Sequence, residues 1–144
     1  MKDLVALVQT IGHVFRFRGT LAGFEAAACA LRELLDPWLL DGATRYKVEL
    51  AFEELGTNIV LHDAPKEDVA VTISLDEQEV VLTFEHDGIE FDPRGHPAPV
   101  APASIEDAQI GGLGLVLVRD LAARLDYERT ADRRNRLTVA VAIG

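Results

Sequence analysis

The chain has 144 residues, of which 49% are hydrophobic, and it carries a formal net charge of −10. This length fits a single domain over residues 1–144 with a sizeable core, and the apolar content excludes a wholly disordered chain. The acidic balance argues against direct binding to nucleic acid or to an anionic membrane, and a single cysteine excludes both an internal disulfide and a cysteine-based zinc site.

The first part of the chain predicts one strand followed by two helices. Phenylalanine and arginine alternate within residues 13–18, which is the period-two pattern of a half-buried strand. After Thr20, a good N-cap, apolar residues recur at spacings of three and four until an Asp-Pro pair, which predicts an amphipathic helix over residues 21–35. A second helix is predicted from the N-cap Asp41 to about His62.

The rest of the chain predicts a hairpin, a long loop, a helix and two closing strands. Apolar residues alternate over 69–75, and an acidic turn leads into a second strand over 80–85. Residues 94–110 are rich in proline, alanine and glycine, which is typical of an irregular lid loop. A helix then precedes strands over 125–129 and 137–143. This order predicts an α/β two-layer sandwich, in which a mostly antiparallel mixed sheet has its helices on one face.

Glu54 and Asn58 are the first pair that suggests chemistry. They lie four residues apart, so the second helix presents both side chains on one face. The amide oxygen of asparagine can ligate a hard cation, and the carboxylate of glutamate can accept a proton. The same spacing is also common on a solvated helix face with no function.

Two motifs contain glycine, and one of them suggests a phosphate site. Glycines at positions 111, 112 and 114 precede the third helix, where backbone amides and the helix dipole favour an anion. The cluster is neither a Walker nor a Rossmann motif, and its alternative reading is a turn that lets the following leucines pack. Asp87-Gly88 at a strand end is, by itself, an ordinary turn.

In this order the motifs resemble those of the GHKL (histidine-kinase-like) ATPases. Residues 49–60 resemble the N box, 82–93 the G1 box, 110–118 the G2 box and 135–138 the closing strand. Within these ATPases the chain is most similar to the anti-sigma-factor serine/threonine kinases of bacterial partner-switching systems. The resemblance covers roughly residues 10–143 and implies the GHKL (Bergerat) ATP-binding fold.

The resemblance also implies a role for each matching position. Glu54 is the catalytic general base for the attacking serine or threonine hydroxyl, and Asn58 ligates the Mg²⁺ that bridges the ATP phosphates. Gly112 and Gly114 hold the phosphates beneath the lid loop, and Thr138 touches the adenine side of the pocket. The implied nucleotide-binding residues are Asn58, His86, Asp87, Gly88, Gly111, Gly112, Leu113, Gly114, Leu115 and Thr138.

Position 86 departs from the family pattern. The family's adenine-recognising aspartate stands two residues before the first G1 glycine, where this chain has His86. Asp87 is shifted by one residue and so faces the opposite side of an extended segment. A neutral imidazole still offers adenine one donor or one acceptor, and a packed core histidine without a ligand is the alternative. Glu90 adds an acid where the family has a small residue or proline, so nucleotide binding is expected to be weakened or altered.

The resemblance implies an ATP-dependent serine/threonine kinase whose cofactors are ATP and Mg²⁺. Its partners would be a sigma factor and a STAS-domain anti-anti-sigma protein, with a homodimer as a possible assembly. The alternative is a catalytically weak or inactive GHKL-fold protein-binding module in the same kind of pathway. Residues 47–107 hold 15 of the 24 acidic side chains, so a bound nucleotide should depend strongly on its metal. The sequence shows neither a long apolar run nor a signal-peptide pattern, which predicts a cytoplasmic protein.

Overall fold

Five strands and three helices make up the part of the chain described by the structure, a computed structural model covering residues 11–95 and 113–144. In chain order these elements are β1 (Ile11–Phe17), α1 (Leu21–Leu35), α2 (Gly42–Asn58), β2 (Val69–Leu75), β3 (Glu79–His86), α3 (Leu113–Leu121), β4 (Arg124–Arg129) and β5 (Asn135–Ala142). Short 3₁₀ turns occupy Asp36–Trp38 and Pro93–Gly95. The predicted order of strands and helices is confirmed.

Local capping starts the first two helices where the sequence predicts. The backbone amide of Gly23 donates to the Thr20 hydroxyl at 3.1 Å, and the amide of Thr44 donates to the Asp41 carboxylate at 2.9 Å. Each bond satisfies an amide that the first turn of a helix leaves without a partner. None of the described helices combines the length and hydrophobicity that a membrane span requires.

The end of α2 differs from the single regular helix that the sequence predicts. The α-helix stops at Asn58 and continues as a turn of π-helix over Ile59–Asp63. Ile59 and Asp63 are both buried in this wider turn, and Ala64 then takes a left-handed conformation with φ of 49° that ends the helix. Such turns occur frequently at functional sites.

The sheet has the strand order β1-β2-β3-β5-β4, and every described pairing is antiparallel. Burial alternates along β3, and α2 contacts both β3 and β5, so one face of the sheet packs against the helices. The predicted two-layer α/β sandwich is confirmed. A mostly antiparallel mixed sheet was expected, but the described strands contain no parallel pair, because each crossover returns the chain in the opposite direction.

Phe52 lies at the centre of the core. Its ring stacks on Phe24 at a centroid distance of 5.2 Å and on Phe84 at 5.7 Å, and it also contacts Phe15 and Phe17. Aromatic pairs in these geometries add stabilisation beyond the area they bury. One side chain of α2 therefore joins α1 to strands β1 and β3, and its position on α2 sets the distance between helices and sheet.

Phe52→Ala should lower the free energy of unfolding by about 3–5 kcal/mol, because it removes a buried ring and leaves a cavity among four others. Urea denaturation followed by circular dichroism measures the change. Tyr46→Ala is the matched control, since Tyr46 lies on the same helix with 66% of its surface exposed, and it should change stability by less than about 0.5 kcal/mol. Equal losses in the two variants would contradict this account of the core.

Candidate active site

The end of α2 meets the start of α3 at Glu54 and Gly114. A Cβ atom at position 114 would overlap the Glu54 carboxylate, so a larger residue would require that side chain or the start of α3 to shift. Glu54 is half-buried; its burial raises the pKa of its carboxyl, and the charge of neighbouring Glu53 raises this pKa further. The structure thus places a carboxylate with a raised pKa, suited to accepting a proton, against a helix N-terminus, which favours an anion.

Asn58 lies one turn beyond Glu54 on the same face of α2 and is half-buried. Its amide oxygen is a suitable ligand for a hard cation. The described residues contain no group of three histidine, cysteine or acidic side chains that would hold a metal ion without other ligands. The Asn58 amide oxygen fits Mg²⁺, because this ion commonly takes one or two protein ligands and completes its shell with phosphate oxygens and water.

His86 is enclosed at the end of β3, with 1% of its surface exposed. Its Nδ1 lies 2.6 Å from the backbone carbonyl of Asp87, and its Nε2 lies 3.4 Å from Oδ2 of Asp63, which is itself 3% exposed. Burial raises the pKa of Asp63 to about 7 and lowers the pKa of His86. Both ring nitrogens have protein partners, so this geometry matches the alternative of a packed core histidine.

Asp87 faces away from His86, as the one-residue shift predicts, and its carboxylate binds backbone. It accepts hydrogen bonds from the amides of Lys66 at 3.1 Å and Glu67 at 3.0 Å. Burial raises the pKa of the Asp87 carboxyl, but these amide bonds outweigh that effect and its pKa is lowered. An open cleft of ≈ 380 Å³ lies beside this segment, lined by Ala64, Lys66, Asp87, Gly88 and Ile89.

Gly88 fits against the end of α2 because it has no side chain. Its φ of +115° lies in the left-handed region, and a Cβ atom there would overlap the carbonyl oxygen of Asp63. The same carbonyl accepts a hydrogen bond from the amide of Ile89 at 2.8 Å. Arg129 donates to the Gly88 carbonyl at 3.0 Å, and Asn135 donates to the Ile89 carbonyl at 3.1 Å. Hydrogen bonds from two sides therefore fix this turn.

Thr138 is not brought to this group of residues. It lies on the face of β5 opposite to Leu137 and Val139, which belong to the core, and its hydroxyl is 3.5 Å from that of Thr83 on β3. Leu115 is buried in the hydrophobic core, so its side chain packs inward.

The structure gives a partial view of the glycine motif. Leu113 begins α3 and Gly114 follows it, whereas Gly111 and Gly112 lie outside the described residues. The predicted lid loop, residues 94–110, also lies largely outside them, because the described residues end at Gly95 and begin again at Leu113.

The sequence analysis did not identify Asp63 as a residue of the candidate site, because in the sequence this residue marks only the end of a helix. One signal was available: an acid follows the N-box helix in the same chain that has histidine in place of the G1 aspartate. In the structure these two side chains lie 3.4 Å apart, so a buried acid accompanies the buried histidine.

The stability of the protein relative to Asp63→Asn should fall as the pH rises from about 4 to about 7. Folding raises the pKa of Asp63 from 3.8 to about 7, so the native state keeps a proton that the unfolded chain releases, and this contribution is lost with rising pH. The loss is at most about 1.4 kcal/mol per pH unit. Urea denaturation at a series of pH values measures it.

The Asp63→Asn variant is the reference against which the wild-type protein is compared. Its residue at position 63 does not titrate, and both proteins contain His86, whose lowered pKa acts in the opposite sense. A difference in stability that stays constant between pH 4 and pH 8 would show that burial does not shift the Asp63 pKa.

Comparison with known proteins agrees with this fold. Residues 17–141 match the family described as the histidine kinase-like ATPase domain. The serine/threonine-protein kinase BtrW of Bordetella bronchiseptica is 34% identical over 109 residues, which cover 74% of this chain and 75% of BtrW. A chain in the crystal structure of the SiaB–SiaC complex from Pseudomonas aeruginosa has the same fold, with a TM-score of 0.61, 17% identity, and coverage of 99% of this chain and 96% of that one. The resemblance seen in the sequence is confirmed, and the chain belongs to the histidine kinase-like ATPase domain family.

Proposed function

We propose that this protein is a regulatory serine/threonine kinase of the anti-sigma-factor type. It uses Mg-ATP to phosphorylate a STAS-domain anti-anti-sigma protein, and it also binds a sigma factor. The observation that carries the proposal is the contact between the Glu54 carboxylate and the backbone at Gly114, which unites the base and the phosphate-binding turn. The similarity to BtrW, which is named a serine/threonine-protein kinase, supports it.

The residues at this end of the site fit the needs of phosphoryl transfer, which depends on positioning and on neutralising charge. Glu54 takes the proton from the attacking hydroxyl, and its raised pKa brings it closer to the range in which a base works at neutral pH. Gly114 and the N-terminus of α3 hold phosphate oxygens, and Asn58 holds the metal. Bound Mg-ATP supplies the phosphoryl group and a cation that offsets the acidity of this part of the chain.

A specific observation favours a second candidate, a protein-binding module with little kinase activity. His86 stands where the family has its adenine-recognising aspartate, and its two ring nitrogens face Asp87 and Asp63. Glu90 is exposed on the same turn and adds negative charge near a polyanionic ligand. Both features disfavour nucleotide binding without affecting the outer surfaces that would meet a protein.

Glu54→Gln should reduce phosphoryl transfer by about 10²–10⁴-fold, because it removes the general base. Transfer of radiolabel from γ-labelled ATP to candidate STAS-domain proteins of the same genome measures this, and calorimetry should show that Mg-ATP affinity is retained. Glu25→Gln is the control, since Glu25 is an exposed glutamate on α1 and its charge does not contribute to the pKa shift of Glu54. Unchanged transfer by Glu54→Gln would contradict the assignment of the base.

Gly114→Ala should lower transfer by about 10²-fold, because its methyl group would displace either the Glu54 carboxylate or the start of α3. The same transfer assay measures it. Gly42→Ala is the control, because a Cβ atom at position 42 meets nothing within 4 Å. If the two variants transfer phosphate equally well, the close contact has no part in catalysis.

Calorimetry with Mg-ATP separates the two candidate functions. The kinase binds nucleotide and transfers phosphate. A protein that binds neither Mg-ATP nor Mg-ADP up to millimolar concentration, yet forms complexes with a sigma factor or a STAS-domain protein, is the binding module.

A further inference from the structure

Asp63 has one carboxylate oxygen that none of the described residues uses. Its Oδ2 faces Nε2 of His86 at 3.4 Å, whereas its Oδ1 is buried and receives no hydrogen bond from the described residues. Native proteins rarely bury an acceptor without a partner, because the group loses its hydration and gains nothing in return. A buried carboxylate oxygen of this kind requires a hydrogen-bond donor.

The hydrogen bonds of His86 define which donor this is. The Asp87 carbonyl can only accept, so Nδ1 of His86 carries a proton and donates at 2.6 Å. In the neutral imidazole Nε2 then has a lone pair, to which only a protonated Oδ2 of Asp63 could donate. In the charged pair the same proton lies on Nε2. In both states Oδ1 of Asp63 remains an acceptor only, so it requires a ligand that donates.

Asp63 also lies in line with the residues proposed to hold the phosphates. Glu54, Asn58 and Asp63 belong to one continuous helical segment, and Asp63 lies one turn of π-helix beyond Asn58. Asp63 ends this turn, and an open cleft is lined by residues that follow Asp63 and His86 in the chain, namely Ala64, Lys66, Asp87, Gly88 and Ile89. A nucleotide with its phosphates at Asn58 would have its base near this end of the segment.

We propose that Asp63 is the residue that reads the nucleobase, and that it selects a base with an exocyclic amino group such as adenine. Oδ1 accepts a hydrogen bond from that amine, while His86 holds Oδ2 and keeps the carboxyl group in place. The inference rests on the proposed nucleotide-binding function and names the residue that sets its base specificity. His86 is then a positioning residue, and the acid that reads the base comes from the helix in place of β3.

Purine riboside 5′-triphosphate tests the proposal, because it differs from ATP only in lacking the 6-amino group. Calorimetric titration with each nucleotide in the presence of Mg²⁺ should show that the full chain prefers ATP by about tenfold or more. Asp63→Leu removes the acceptor and should bring the ratio of the two affinities close to one.

Asp63→Asn is the matched variant, and it should keep the preference for ATP. Its amide oxygen accepts from the adenine amine as Oδ1 does, and its NH₂ group donates to the lone pair on Nε2 of His86. Thermal melting reports whether each variant is folded. If Asp63→Leu does not fold, the wild-type ratio and the ratio of Asp63→Asn still test the proposal.

Three results would overturn the inference. Equal affinity of the wild-type protein for the two nucleotides shows that no group reads the amine, although binding of ATP would leave the proposed kinase intact. An undiminished preference for ATP in a folded Asp63→Leu variant shows that another residue reads the base. Failure of the wild-type protein to bind either nucleotide overturns this inference together with the nucleotide-dependent function on which it rests.

Discussion

The backbone of α3 begins against the Glu54 carboxylate because position 114 has no side chain. This contact joins two segments that the whole β2–β3 hairpin separates in the chain. Burial is the main cause of the raised pKa of the Glu54 carboxyl, and the contact sets this carboxylate beside the N-terminal turn of α3. The position of α2 on the sheet, which Phe52 maintains, is what allows the contact to form. The environment of Glu54 therefore depends on helix packing as well as on the local sequence.

Beyond the same end of α2, the π-turn meets the sheet through a polar pair. His86 lies in the row of inward-facing residues on β3, where a charged aspartate would be costly to bury without a partner. Asp63 provides that partner from the π-turn, and the turn at Gly88 covers the pair. Neutral side chains that share one proton avoid most of the desolvation cost of a buried ion pair. The pair thus keeps a carboxyl group inside the fold. This group belongs to the π-turn that follows α2, and its Oδ1 has no hydrogen-bond partner among the described residues.

Much of this structure follows from local sequence. The caps at Thr20 and Asp41 start their helices as predicted, because a capping side chain interacts with amides only two or three residues away. The inward direction of His86 follows from simple alternation along β3. Alternation is less informative along β5, where Ala140 is buried on the outer face and Val139 and Val141 on the inner one. The face to which Thr138 belongs was therefore clear only when the strand pairing was known.

The amino-acid sequence by itself determined the order of strands and helices, the residues that cap them and the family to which the chain belongs. It also placed Glu54 and Asn58 on one face, because the period of a helix needs no tertiary information. Only the tertiary structure decided that Gly114 lies against Glu54, that Asp63 pairs with His86 and that Thr138 faces away from both. Contacts of this second kind join residues far apart in the chain. They arise from how the helices pack on the sheet, which no local pattern specifies.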